Sequence, residues 1–264
     1  MKNWGRRAKG GAILNRLLNK CLLFLQGFLL LNVLWFLAYL LMHTTVIPDP
    51  AVIYRNFGTA FSNHIFLHIL ASLKRIAAGL GLSLAVGVPV GILMAYSGSA
   101  NKILYPLIYF SYPIPKTAFL PVAMILWGMR DGSKVAIIFL IIVFQVIVAA
   151  RDSVRNIDPS VYLVTVSAGA GPAQIIRHIT LPAIFPELFT SIRVSLGTAV
   201  SVLFFVEGYG TKYGMGYYIL DAWSRIDYID MYTGIIVISI VGFALFVAID
   251  LLSDLLCRWS RPLG

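Results

Sequence analysis

Six stretches of the chain are almost wholly apolar for about the 20 residues a helix needs to cross roughly 30 Å of hydrocarbon at 1.5 Å per residue. They cover residues 21–42, 68–96, 104–127, 135–150, 183–207 and 232–256. Strands of a membrane barrel would be about half as long and would alternate apolar with polar positions, which these runs do not. The pattern predicts an all-α polytopic membrane protein with six transmembrane helices. A cleaved leader needs a short apolar region and a small-residue cleavage site, whereas the first run continues to Met42, long enough to cross a bilayer, and is expected to stay as the first span.

The segments between the spans have their own patterns. Residues 51–67 mix aromatic and polar side chains without the length to cross, which predicts an interfacial helix on the outer side. Residues 151–180 are more articulated. Asp158 before Pro159 is a helix start, with Asp as cap and Pro at the first helical position. That helix is expected to run to about Ala168 and to break at Gly169-Ala170-Gly171. A second short helix restarts at Pro172, with Ile175, Ile176 and Ile179 on one face and Gln174, Arg177 and His178 elsewhere. Thr180-Leu181-Pro182 is expected to end it and turn the chain back to the membrane. Two uses fit such a loop: a connector whose apolar side rests on the span ends, or an ordered platform for a partner.

Composition agrees with the membrane reading. Of 264 residues, 59% are hydrophobic and 12% charged, whereas a soluble domain is about half apolar and a quarter charged. The net charge of +10 does not mark a nucleic-acid binder, because its cations flank apolar runs. Six of the 21 Lys and Arg fall in the first twenty residues: Lys2, Arg6, Arg7, Lys9, Arg16 and Lys20. With the amino terminus inside, Lys102, Arg151, Arg155, Arg177, Arg258 and Arg261 join them. The outer side keeps Arg55, Arg130, Lys134, Lys212 and Arg225, offset by Asp49, Asp131, Asp221, Asp227 and Asp230. Both termini are therefore expected in the cytoplasm. One domain, 1–264, is expected, with no internal repeat. Cys21 and Cys257 lie at opposite ends of the chain and suggest no disulfide framework.

Some residues stand out chemically. Pro106, Pro113, Pro115 and Pro121 crowd the third span, and each removes a backbone donor that lipid cannot replace. That span should face protein or a wet cavity, and Lys116 within it is a costly cation suited to a substrate path or to a structural pair. Glu207 ends an apolar run and is followed by Gly208, Gly210, Gly214 and Gly216, which suits either a tight re-entrant turn at an outer gate or a plain surface loop. Arg193 needs a partner, for which Glu187 is available. Lys74 and Arg75 either snorkel to headgroups or pair inside the bundle. His64 and His68 have a metal-compatible spacing but no third ligand nearby, and His43 and His178 are isolated. No Gly-Lys dipeptide occurs, so a phosphate-binding loop of that type is missing and any ATP-driven work must be done by another polypeptide.

Gly169, nine intervening residues and then Ile179-Thr180-Leu181-Pro182 resemble the second half of the "EAA" loop signature of permease subunits of binding-protein-dependent ABC importers. The Glu-Ala-Ala half would fall on Leu163, Val164 and Thr165, and does not match. Pro115, Ala118, Pro121, Leu126, Trp127 and Gly128 resemble a stretch of the branch that imports nitrate, taurine and alkanesulfonates. Glu207, Gly214 and Gly216 match a further segment of that branch. The resemblance extends from about residue 63 to the sixth span.

This resemblance implies a type I ABC importer permease fold, with a coupling helix in the cytoplasmic loop 159–181. Coupling to the ATPase would fall to Ser167, Ala168, Gly169, Ala170, Gly171, Pro172, Ile179, Leu181 and Pro182. The substrate path or gate would use Pro115, Lys116, Glu207, Gly214 and Gly216. Expected partners are two cytoplasmic ATP-binding subunits, a second permease copy forming a homodimer, an extracytoplasmic substrate-binding protein and membrane lipid. The chain itself would bind no cofactor and catalyse nothing; ATP and Mg belong to the partner ATPase. The solute would be a small anion such as a sulfonate, taurine or nitrate, or else a vitamin precursor. The location would be the bacterial inner membrane. A self-sufficient secondary transporter or channel would instead call for a repeat or a relay of intramembrane charges, and a membrane enzyme for clustered His, Asp or Cys.

Overall fold

The computed structural model describes residues 4–62, 64–257 and 259, with residues 4–21, 23 and 62 as backbone alone. Lys2, Arg258 and Arg261, counted above among the inner-side charges, lie outside the described residues, as do the side chains of Arg6, Arg7, Lys9, Arg16, Lys20 and Cys21. The described residues form helices and turns and no strand.

The centre of the bundle is α3 (Ile65–Tyr96) packed along α6 (Asp131–Arg155). Small residues at four-residue intervals, Gly79, Ser83, Gly87 and Gly91, put a backbone-only stripe on α3 and let α6 lie directly against it. A Cβ at Gly91 would come within 2.6 Å of the Ala150 Cβ and the Ile147 carbonyl, and one at Gly87 within 2.8 Å of Val146. The Ser83 hydroxyl donates to the Gly79 carbonyl at 2.8 Å, so the polar atom in this contact is satisfied. Helix α9 (Leu181–Glu207) closes the core, bringing Ile192, Leu196, Ala199 and Leu203 onto Ile76, Ile138, Ile142 and Val146.

Two helices ride outside this core. Helix α1 (Trp4–Met42) leaves most of its apolar side chains between Leu22 and Met42 exposed and is pinned by Phe24 stacked on Phe243 and Trp35 on Tyr232. Helix α2 (Pro50–Ser62) occupies most of the expected interfacial segment. It seats Ile53 and Ala60 in protein and donates from Asn56 to Asp230 on α11 (Tyr228–Leu256) at 2.7 Å.

The expected third span is not a single helix. Helix α4 (Gly98–Ser111) stops, a 3₁₀ turn covers Lys116–Phe119, and α5 (Leu120–Trp127) follows. Pro113 and Pro115 supply no N–H, and Pro115 adopts an extended ψ of 90°, so no helix passes through. Pro121 sits harmlessly in the first turn of α5. Among the described residues, five helices are therefore long and apolar enough to cross a membrane, rather than six.

The expected fifth span is longer than its apolar run. The helix α8 (Pro172–Ile175) does not end at Thr180–Pro182; a π turn, Ile176–Thr180, carries it directly into α9. Pro182 has no N–H to give and its ring would crowd the carbonyl four residues back. The wider turn, with the Leu181 N–H reaching the Ile176 carbonyl, accommodates it without a break.

Candidate functional site

Two constructions stand at opposite ends of α3. At its first third, Ser72 and Arg75 point toward the end of α9 and the start of α10 (Met215–Ser224). Glu207 is fully buried there. Its carboxylate accepts from the Ser72 hydroxyl at 2.9 Å, the Arg75 Nη1 at 2.5 Å and the Gly216 N–H at 2.9 Å. Arg75 is saturated in turn, donating to the Tyr213 carbonyl at 2.8 Å and to Asp131 through Nε at 2.8 Å. Ser72 also accepts the Met215 N–H at 2.8 Å, so the first amides of α10 are directed at this cluster, where a helix start favours negative charge.

The glycines are what let the strands of this knot meet. Gly214 has φ +150°, and a Cβ there would lie 2.5 Å from the Glu207 Cδ and 2.7 Å from the Arg75 Nη1. At Gly216 a Cβ would lie 2.6 Å from the Phe204 carbonyl. The Gly214 N–H donates to His68 Nδ1 at 3.2 Å, which places that histidine in the same knot. Lys134, expected in an outer connection, is fully buried beside it and donates to the Met129 carbonyl. With every charge matched or hydrogen-bonded, the arrangement holds α3, α6, α9 and α10 together and leaves no free acid or base.

At the other end of α3 lies the loop between α6 and α9. Helix α7 (Pro159–Ser167) starts where expected, with the Asp158 carboxylate accepting the Ser160 N–H at 2.8 Å. That bond lowers the Asp158 pKa from the ordinary carboxylate range. Ala168 ends the helix, and Gly169 takes φ +82°, the left-handed turn that lets the Ala170 N–H reach back to the Thr165 carbonyl. The Gly171 N–H is satisfied by the Gln174 side chain at 2.9 Å, and Pro172 opens α8. Ile175, Ile176 and Ile179 are half-buried while Gln174, Arg177 and His178 are exposed, as the spacing predicted. On α7, Leu163 and Val164 are 69% and 70% exposed, an unusual display for two large apolar side chains.

The loop returns to α3 through hydroxyls. Tyr96 and Thr180 share a hydrogen bond of 2.6 Å, and the Tyr96 hydroxyl donates to Tyr162 on α7 at 3.3 Å. Burial pushes the Tyr162 phenol up to about 12, so it keeps its proton near neutrality.

The residues singled out from sequence thus fall into three places. Glu207, Gly214 and Gly216 meet in the knot. Ser167, Ala168, Gly169, Ala170, Gly171, Pro172, Ile179, Leu181 and Pro182 form the loop and its entry into α9. Pro115 and Lys116 lie in the break between α4 and α5, where the Lys116 ammonium donates to the Ser111 carbonyl at 2.5 Å and lies 5.5 Å from the Phe144 ring centre. Arg193 pairs with Asp250 on α11 and not with Glu187, because α9 and α11 pack side by side there. Of the adjacent cations Lys74 and Arg75, Arg75 is the one buried in a pair, while Lys74 stays exposed. Sequence reasoning missed Ser72 and Arg75 as partners of Glu207, and Asp131 as the second carboxylate on Arg75. An acid that ends an apolar run calls for a cation, and Arg75, in a span that reaches the same end of the bundle, is the signal that could have found it.

The sequence profile described as binding-protein-dependent transport system inner membrane component matches residues 87–262. The taurine transport system permease protein TauC of Escherichia coli is 31% identical over 237 residues, covering 87% of this chain and 86% of its own. The formylaminopyrimidine transport permease protein ThiX of Halalkalibacterium halodurans is 26% identical over 235 residues, 89% of this chain and 94% of its own. Among solved structures, a chain of the inward-facing MetNI methionine ABC transporter superposes with a TM-score of 0.64 at 18% identity, covering 72% of this chain and 94% of that one.

Proposed function

The chain belongs to the inner-membrane components of binding-protein-dependent transport systems, the permease subunits of ATP-driven importers, and from that membership we propose how its parts divide the work. The loop of α7 and α8 is the seat of the ATPase, and it faces the cytoplasm together with both termini. Two ATP-binding subunits dock on two copies of this chain, which pair as a homodimer around the solute path. ATP and Mg stay with those subunits.

One observation carries this reading. The loop combines an exposed apolar helix, a glycine turn and an uninterrupted helix into the core, so a force applied at α8 enters α9 without a break, and one applied at α7 reaches it through the glycine turn. The polar signature residue expected near position 163 is replaced here by exposed Leu163 and Val164, which suits a partner with an apolar groove. ATP has only to favour one ATPase conformation for the bundle to follow.

The segment Gly98–Trp127 makes the remaining crossing as two half-helices, and its break faces the solute path. The Lys116 ammonium has three donors and spends one on Ser111, leaving two for a small anion. A sulfonate of the taurine type is the solute this favours, in keeping with the similarity to TauC. The Glu207 knot locks the outer end of the bundle. The test is uptake into proteoliposomes containing this chain, an ATPase subunit and a binding protein from the same source, with taurine and a simple alkanesulfonate as probes. ATP-dependent uptake of either supports the reading; uptake by this chain alone on an ion gradient overturns it.

A further inference from the structure

We infer that the hydroxyl chain Thr180–Tyr96–Tyr162 is the joint through which the loop moves α3, making Tyr96 and Thr180 positioning residues for coupling. The inference rests on the proposed seat of the ATPase at this loop.

Three observations meet here. The first is a gap in the packing: an apolar cleft of about 720 Å³ opens between the last turns of α3, at Pro89, Ile92 and Leu93, and the loop at Pro172, Ile175 and Ile176, while beyond it Ile92 packs on Ile184 and Leu188 of α9. The hydrogen bonds described between α3 and the loop are the two made by the Tyr96 hydroxyl at the edge of that cleft. Second, Thr180 is fully buried and its hydroxyl sits in the π turn, 2.6 Å from the Tyr96 oxygen. Such turns recur at functional positions because they place one side chain out of helical register. With Thr180 donating to Tyr96 and Tyr96 donating to Tyr162, one directed chain of hydroxyls ties α7, α3 and the π turn.

The third is where α3 goes. At 1.5 Å per residue its 32 residues reach about 48 Å, and the opposite third carries Ser72 and Arg75 of the Glu207 knot. The stripe of small residues holds α3 against α6 along the way. A displacement of the loop that pulls on Tyr96 therefore passes into α3, through the turn that carries Pro89, toward the knot at its far end. Helix α9 carries the same displacement directly from the π turn, and the hydroxyl link adds a directional tie to the apolar contact of Ile92 with Ile184 and Leu188, keeping the two helices that grip Glu207 in step at the loop.

The test uses the assembled transporter with its ATPase and binding protein in proteoliposomes. Tyr96→Phe and Thr180→Val each remove one hydroxyl with little change of shape. Each is expected to leave ATPase co-purification, basal hydrolysis and thermal stability near the unmodified protein. Solute moved per ATP hydrolysed should fall by up to about tenfold, the factor that one net hydrogen bond can carry. Thr180→Ser should restore it, and the Tyr96→Phe/Thr180→Val double variant should be no worse than either single one, as residues acting as a unit require. Unchanged solute per ATP in Thr180→Val overturns the inference. So does a loss in which hydrolysis, assembly and stability all fall in step, which marks a merely structural role. Separately, a single-cysteine variant at position 170 that fails to crosslink to the ATPase in the otherwise unmodified complex removes the docking premise itself, and the inference with it.

Discussion

The Arg75 guanidinium donates to the Glu207 carboxylate at 2.5 Å, joining α3 to the end of α9 across 132 sequence positions at a point closed to solvent. Burying both charges is expensive, but removing one alone is worse because the survivor keeps its desolvation cost and loses its partner. Arg75→Met is expected to destabilise the protein by about 3–5 kcal/mol, and Glu207→Leu by a similar amount. The double variant should recover a substantial part, because it leaves neither charge stranded. Thermal unfolding in detergent of the four members of this cycle measures the coupling. Strict additivity would show that the pair is not a unit.

Gly214 sets a sharper test of the same knot. An alanine there needs a left-handed backbone at φ +150° and puts a methyl group 2.5 Å from the Glu207 Cδ. Gly81, by contrast, has open space where its Cβ would go and lies within α3, where alanine is favoured over glycine by about 1 kcal/mol. Gly214→Ala is expected to lower the melting temperature strongly, and Gly81→Ala to leave it unchanged or raise it. Equal effects would mean that the close approach at Gly214 is not needed.

The stripe on α3 makes a graded series. Gly87→Ala drives a methyl to 2.8 Å from the Val146 Cγ1 and 2.9 Å from its Cβ, whereas Gly91→Ala comes closer still, to 2.6 Å from both the Ala150 Cβ and the Ile147 carbonyl, and meets the Arg151 amide. Overpacking of this kind costs about 1–3 kcal/mol, and Gly91→Ala should fall at the upper end. Unfolding of the two variants side by side checks the order.

How far the sequence foretold this fold depends on whether a feature is local. The apolar cores of five of the six spans, the Asp158 cap, the break at Gly169 and the sidedness of Ile175, Ile176 and Ile179 follow from hydropathy and from backbone preferences within a few residues, and the structure shows them. Proline was read correctly as a disturbance but not in its outcome. Pro113 and Pro115 stop a helix, Pro182 is absorbed by a π turn, and Pro89 and Pro186 are carried inside α3 and α9. Which occurs depends on whether neighbouring helices can take up the freed carbonyl, which is tertiary information. The Glu207 knot was half legible. The acid and its two glycines stand close in sequence, while Ser72, Arg75 and Asp131 arrive from helices far away and leave no local mark. Arg193 was given the wrong partner for the same reason, since Asp250 is near it only once α9 and α11 pack.

The loop makes a prediction about the partner's chemistry. Leu163→Lys and Val164→Lys substitute exposed side chains, so the folded permease should be unaffected. ATPase co-purification should nevertheless fall, because each ammonium would have to be desolvated in an apolar groove. Gly169→Pro acts differently. Proline cannot adopt φ +82°, so the turn that orients α7 against α8 must rearrange, and uptake should be abolished while membrane insertion is retained. Normal uptake by a stably inserted Gly169→Pro protein would remove the loop from the mechanism.

Lys116 separates two roles that the structure brings together at one atom. Its ammonium donates to the Ser111 carbonyl at the end of α4, and this alone would justify the residue as a cap for a broken helix. If capping is its whole purpose, Lys116→Gln keeps a donor and should transport normally, whereas Lys116→Met should lower the melting temperature. If the charge also meets an anion in the path, the order changes. Lys116→Gln should then remain as stable as the unmodified protein yet lose about tenfold to hundredfold in uptake efficiency for a sulfonate, the worth of one charge-assisted hydrogen bond. Lys116→Arg should retain part of it, since the charge survives although its geometry does not. Measuring initial uptake rate and melting temperature for the three variants together decides between them, and the proposed anion path stands only if Lys116→Gln separates the two quantities.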